Sequence, residues 1–175
     1  MRLLSWAAAL LVLGACAQLG TKAPHDVEFD LTGRLAARYG NEAFSGNLAW
    51  RHARSSDEML ITSMLGAGVA QIVRDKGSVV LTTAEMREYR AADAETLTEE
   101  VLGFRLPLAG LADWVRGRAS DASLAKAERG PEGRLRSLEE RGWKIDYLEY
   151  QGELPSRMRL TYQDIELRLA ISRWK

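Results

Sequence analysis

The chain holds one thiol, Cys16, and two imidazoles, His25 and His52. Nucleophilic or metal chemistry would be built from such groups, and their spacing does not build it. Neither histidine has a cysteine, a second histidine or a carboxylate at metal-ligand spacing, so no metal site is expected. No G-x-S-x-G elbow is present to carry a serine nucleophile. Gly66-Ala67-Gly68 begins like a dinucleotide loop, but Gln71 stands where the third glycine belongs. Carboxylates adjoin at Asp57-Glu58, Glu99-Glu100 and Glu139-Glu140. Sequence neighbours point apart on a strand or helix, so these pairs read as solvated faces. Neither an enzyme nor a cofactor is expected. The conspicuous group is apolar: Met64-Leu65 sits in the middle of "TSMLGAGVA", between two runs that read as strands. A turn runs over the surface and is ordinarily polar, so a hydrophobic pair at its tip calls for something to touch.

The elements that position these residues begin with an export signal. Met1-Arg2 gives a positive start and Leu3 to Leu13 is almost unbroken Leu, Ala, Val and Trp, the pattern of a secretory signal peptide. At about 1.5 Å per residue the first fifteen residues reach roughly 20 Å, short of the roughly 30 Å of a bilayer core. It ends in Leu13-Gly14-Ala15-Cys16, which resembles the bacterial lipobox. That resemblance implies a lipid on the Cys16 sulfur and cleavage before it, with residues 1–15 removed. Small side chains suit a scissile bond, and a thiol is the nucleophile that accepts a diacylglyceryl group. An ordinary signal peptide followed by an incidental cysteine is the alternative; a lone exported thiol with no disulfide partner favours the lipid. Ala17, where aspartate would retain a lipoprotein in the inner membrane, implies sorting to the outer membrane. Residues 16–28 then read as the lipidated cysteine and a flexible tether, with Gly20 and Pro24 in it.

Residues 29–175 read as one domain. Composition is 46% hydrophobic and 27% charged, which suits a globular chain. Lys+Arg and Asp+Glu both number 24, so there is no basic field to hold nucleic acid. The dominant signal has period two: Ile165, Leu167, Leu169 and Ile171 alternate with Glu166, Arg168, Ala170 and Ser172. Met158, Leu160 and Tyr162 repeat the pattern, as do Trp143, Ile145 and Tyr147. Further short runs fall at 29–38, 45–51, 58–63, 69–74, 78–83, 87–91, 122–128 and 134–138, punctuated by turns such as Gly40-Asn41 and Gln151-Gly152. About eleven strands so closely spaced leave no room for crossover helices, so the sheet is antiparallel and curls toward an incomplete barrel. Only residues 93–117 break the pattern. They read as two helices, one capped by Asp93 with Leu97 and Val101 on a face, one started by Pro107 with Leu108, Leu111 and Trp114. Periodicity leaves open whether this pair is a lid over a mouth or a plug in an ordinary core.

Several motifs together resemble the LolB family: "LTGRLAARY" from Leu31, "LITSMLG" from Leu60, "GFRLPLAGLADWVRG" from Gly103, "GWKIDYLEY" from Gly142, "LPSRMRLTY" from Leu154 and the closing "LRLAISRW". The array Leu106-Pro107-Leu108, Leu111, Trp114 and Gly117 is the most specific of them, and 119–141 matches weakly. The resemblance implies an incomplete antiparallel barrel with a helical lid over a hydrophobic cavity for acyl chains. It implies an outer-membrane lipoprotein receptor, anchored at the periplasmic face, that accepts lipoprotein cargo from a LolA-type carrier and inserts it into the inner leaflet. A monomer is expected. A sensory or structural lipid-binding lipoprotein, or an enzyme on the same half barrel, are the alternatives. In the family a leucine at the tip of a protruding loop promotes delivery; Leu65 with Gly66 matches that place, and Met64 stands where proline is frequent. Met64 and Leu65 either protrude or fold back onto the core. The cavity walls expected are Leu48, Trp50, Ile61, Val80, Ile145, Tyr147, Met158, Leu160, Leu167 and Leu169 from the sheet, with Leu97, Val101, Leu108, Leu111 and Trp114 from the lid. Each of these equally suits plain core packing.

Overall fold

A computed structural model describes residues 26–102 and 105–175. Cys16, the export signal and most of the tether, together with Gly103, lie outside the described residues. Eleven strands form one antiparallel sheet: β1 (Val27–Tyr39), β2 (Glu42–Ala53), β3 (Ser56–Thr62), β4 (Gly68–Asp75), β5 (Ser78–Thr83), β6 (Glu88–Ala91), β7 (Lys126–Arg129), β8 (Leu135–Glu140), β9 (Trp143–Gln151), β10 (Leu154–Tyr162) and β11 (Ile165–Trp174). The order is β6-β5-β4-β3-β2-β1-β11-β10-β9-β8-β7, so the first and last strands pair at the centre and the sheet stays open at β6 and β7. Helices α1 (Ala94–Leu102) and α2 (Leu108–Trp114) lie between β6 and β7 in the chain.

Period-two alternation gives the sheet one apolar face. Leu31, Trp50, Met59, Ile72, Leu81 and Tyr89 line up across six strands. Ala37, Leu167, Leu160, Ile145 and Leu138 line up across the other half. A one-residue slip would turn every one of these side chains to water, so burial fixes the register. The centre of the sheet also needs a glycine. At the β1–β11 register shift an added Cβ on Gly33 would collide with the Ala170 carbonyl oxygen, and only a residue without one lets the strands meet there.

The helices cover the apolar face. Asp93 caps α1 as expected, accepting from the Thr96 amide at 2.7 Å. Helix α2 buries Leu108, Leu111, Ala112 and Trp114; each large side chain among them contributes about 1.5–3 kcal/mol. Trp114 is fixed at both ends: its indole donates to Glu140 Oε2 at 2.8 Å, and its carbonyl accepts from the Tyr147 hydroxyl at 2.9 Å. The Glu140 carboxylate also accepts from the Ser120 and Asp121 amides and the Ser120 hydroxyl. Burial raises the Glu140 pKa, and these donors outweigh it and hold the group below its ordinary value.

A second buried carboxylate ties three strands together. Asp57 accepts from Trp50 Nε1 at 2.9 Å, His52 Nδ1 at 2.6 Å and Arg74 Nε at 2.6 Å. Glu28 on β1 stands near His52 and grips Arg116, just beyond α2, at 2.6 Å. The expectation of a solvated Asp57-Glu58 and Glu139-Glu140 is thus half wrong: Glu58 and Glu139 are exposed, but Asp57 and Glu140 are buried. Alternation is the reason, since it sends adjacent carboxylates to opposite faces. The strand expected at 122–128 is also shorter, Lys126–Arg129, with all four residues exposed and hence no alternation to mark it.

Burial alone would raise the Asp57 pKa, and the donors from His52, Trp50 and Arg74 bring it below its ordinary 3.8. The stability it contributes is therefore complete above about pH 4 and lost as pH falls through the lower folded value. Asp57→Ala strands Arg74 and His52 and is expected to cost about 3–5 kcal/mol in urea unfolding at pH 7. The deficit of the variant should shrink as both proteins are acidified below the ordinary value; a constant deficit down to pH 2 would show that the Asp57 charge is not what stabilises the fold.

Candidate functional site

The β3–β4 connection decides what the apolar pair does. Ser63 N donates to Ala67 O at 2.7 Å and Gly66 N to Ser63 O at 2.9 Å, closing a three-residue loop over Met64, Leu65 and Gly66. Gly66 has φ +87°, the left-handed residue that ends such a loop. The Ser63 hydroxyl accepts from the Ala67 amide, and Asn47 Nδ2 donates to the Ser63 carbonyl at 3.1 Å, pinning the hairpin to β2. The tip is thus held without proline at residue 64. Leu65 is 98% exposed and Met64 49%; Leu65 does not fold back.

Beside this hairpin the open side of the sheet holds a hollow of about 330 Å³, at the low end of the roughly 300–1,000 Å³ of ligand sites. Its apolar lining comes from Leu35, Met64, Leu148, Met158 and Leu169, with Arg34, Arg157 and Arg168 among the other residues around it. Two of those arginines are neutralised by neighbours, Arg157 by Glu149 at 2.7 Å and Arg168 by Glu166 at 2.8 Å. Leu148 reaches the hollow because a register shift between β9 and β10 leaves it without a ladder partner. Met64 belongs both to the exposed tip and to the hollow, so one apolar surface runs from the interior to the loop end.

The expected wall residues divide three ways. Met158 and Leu169 line the hollow. Trp50, Leu97, Leu108, Trp114, Ile145 and Leu160, with Leu48, Leu111, Tyr147 and Leu167, are buried in one contiguous core, against which Ile61 and Val101 pack. Val80 is a correction. It pairs with Val73 and Arg90, on the face opposite Val79 and Leu81, which are the buried residues of β5. Three successive apolar residues hide the phase of a strand, and only the cross-strand partners reveal it. Leu35 and Leu148 were missed. Leu35 continues the alternation of Leu31 and Gly33, a signal the sequence did carry, whereas Leu148 breaks alternation and had none.

Among the described residues the lining of the hollow includes no Cys, His, Asp or Glu. Its neighbour Tyr147 has its hydroxyl pushed far above the ordinary value by burial, so it stays a neutral donor to the Trp114 carbonyl. Among the described residues no group of three or more His, Cys, Asp or Glu could hold a metal ion, and no helix is long and apolar enough to cross a membrane.

Comparison with known proteins agrees with this geometry. The family model described as outer membrane lipoprotein LolB matches residues 27–174. A protein of Thiobacillus denitrificans named outer-membrane lipoprotein LolB is 37% identical over 179 residues, covering 98% of this chain and 94% of its own. Its namesake in Nitrosomonas europaea is 38% identical over 153 residues, covering 84% and 72%. Among solved structures, a LolA superfamily protein of Nitrosomonas europaea superposes with a TM-score of 0.50 at 10% identity over 87% of each chain, a likeness of fold alone. An open eleven-stranded half barrel with two short helices on it, matched end to end by that model and by those relatives, places this chain in the LolB family of outer-membrane lipoproteins.

Proposed function

We propose that the protein receives lipoproteins from a LolA-type periplasmic carrier, shelters their acyl chains in the apolar space of the half barrel and releases them into the inner leaflet of the outer membrane. The observation that carries this reading is the continuity of the hollow with a fully exposed leucine: Met64 lines the one and adjoins the other. Exposing an acyl chain of about fifteen methylenes to water costs on the order of 12 kcal/mol, at about 0.8 kcal/mol each. A cargo chain therefore travels along apolar surface or not at all. Burying Leu65 in a bilayer is worth about 1.5–3 kcal/mol, enough to turn the mouth toward lipid and too little to hold the protein there.

Anchoring falls to the lipid on Cys16. Val27 and the Leu65 loop lie at opposite ends of their strands, since β1 and β3 run in the same direction through the meander. The chain from Cys16 to Val27 can extend at most about 40 Å, at up to ~3.6 Å per residue. That matches the length of β1, 13 residues at about 3.3 Å each, so anchor and tip can reach one membrane. The protein sits on the periplasmic face as a monomer and works without nucleotide, metal or other cofactor, because affinity rising from carrier to receptor to bilayer suffices to drive transfer. As the chain enters, α2 lifts to uncover the core that its Leu108, Leu111 and Trp114 help to fill.

Leu65→Glu is expected to reduce transfer of a bound lipoprotein into liposomes at least tenfold while leaving the unfolding midpoint and capture from the carrier unchanged. Normal transfer by that variant would remove Leu65 from the mechanism. Leu35→Trp fills the hollow from a partly buried position, with an overpacking cost of about 1–3 kcal/mol. Capture of a lipidated client in a pull-down should fall several-fold while vesicle binding through Leu65 persists; undiminished capture would mean that the chains lodge elsewhere.

A further inference from the structure

The β5–β6 turn also holds an exposed apolar side chain, just behind its Ala84-Glu85 apex. Met86, between β5 and β6, is 79% exposed. The turn that presents it is closed by Thr83 N to Arg87 O at 3.0 Å and by Met86 N to Thr83 O at 2.9 Å. Met86 itself has φ +60°, a left-handed backbone that penalises a residue with a Cβ and suits glycine or asparagine better. A large apolar side chain held there in water gains the fold little burial.

Its place indicates a use. The β3–β4 and β5–β6 connections are alternate turns of one meander and leave the same end of the sheet. Thr83, which closes this turn as Ser63 closes the Leu65 loop, pairs with Ala70, three residues along β4 from Ala67, the partner of Ser63. The Met86 turn therefore stands about 10 Å behind the Leu65 loop along the strands, at ~3.3 Å per residue. Apolar groups of interfacial segments reach about 5–10 Å into the headgroup and acyl boundary. With Leu65 at the deep end of that range, Met86 meets the outer headgroup level. The charges beside it do not select an anionic surface: Glu85 and Arg87 flank it with opposite signs, and Glu88 and Arg90 pair with each other at 2.6 Å.

We propose that Met86 is a second membrane contact, shallower than Leu65, and that the two hairpins together set the angle at which the half barrel faces the bilayer. One inserted tip leaves the molecule free to swivel; two tips on adjacent hairpins fix an axis. This rests on the reading that Leu65 enters lipid. The contact is apolar, so its strength is insensitive to salt.

The test uses the full mature chain with Cys16→Ser, so that the anchor does not dominate, carrying a single environment-sensitive fluorophore through Leu65→Cys, Met86→Cys or, at a turn at the opposite end of the sheet, Gln151→Cys. On vesicles of phosphatidylethanolamine and phosphatidylglycerol, the probe at residue 86 is expected to shift to the blue and to be quenched by headgroup-level quenchers. The probe at 65 responds to deeper quenchers, and the probe at 151 stays aqueous. Met86→Ser should weaken vesicle binding about tenfold at both low and high salt without moving the unfolding midpoint. A residue-86 probe that stays in water while the residue-65 probe enters lipid would overturn the second contact and leave the Leu65 reading intact. Silence at both positions would remove both. A residue-86 probe that responds to the periplasmic carrier and not to vesicles would assign the tip to a protein partner and overturn the proposal.

Discussion

The structure depends on one unsatisfied surface, the apolar face of a sheet that curves without closing. Eleven strands with period-two burial put their large side chains on a single side, and because β6 and β7 do not pair, that side cannot be sealed by the sheet alone. Two short helices supply the cover. They are too short to be stable by themselves, so they exist because the sheet needs them. Their hold is concentrated on Trp114, which Glu140 and Tyr147 grip from β8 and β9, and on Arg116, which Glu28 grips from β1.

The same surface explains how a packed core and the lipid-binding role proposed above can belong to one molecule. A side chain of the lid and a methylene of an acyl chain are interchangeable coverings for Trp50, Ile145 or Leu160, since both exclude water at similar gain per unit area. On the proposed function, loading is an exchange of one covering for another, begun at Leu35, Met158 and Leu169 where room already exists. The polar attachments of α2 keep the lid from drifting away during that exchange. The exposed Leu65, at the rim of the same surface, offers the chain a continuous apolar route outward.

Much of this was legible in the sequence, for a physical reason. Alternation is forced wherever one face is buried, so strands such as Ile165–Trp174 and the hairpin glycine Gly66 announced themselves, and Asp93 announced α1. Where apolar residues run on both faces the phase was lost, as at Val79-Val80-Leu81. Where nothing is buried, as in Lys126–Arg129, there was no signal to read. The Asp57, His52, Arg74 and Glu28, Arg116 pairs could not be read because their partners are brought together by strand register and lid docking, not by spacing in the chain. The hollow was legible in kind but not in place: the residues expected to line it mostly fill the core, and the free space sits at the rim.

Site-specific photo-crosslinking tests the central claim most directly. A photoreactive side chain is placed in turn at residues 35, 64 and 158 on the concave side and at residue 80 on the convex side, and the protein is loaded with a lipoprotein by its carrier. The account predicts crosslinks to the client's acyl chains from 35, 64 and 158 and none from 80. Crosslinks confined to residue 80, or none from the concave positions while transfer proceeds, would contradict it.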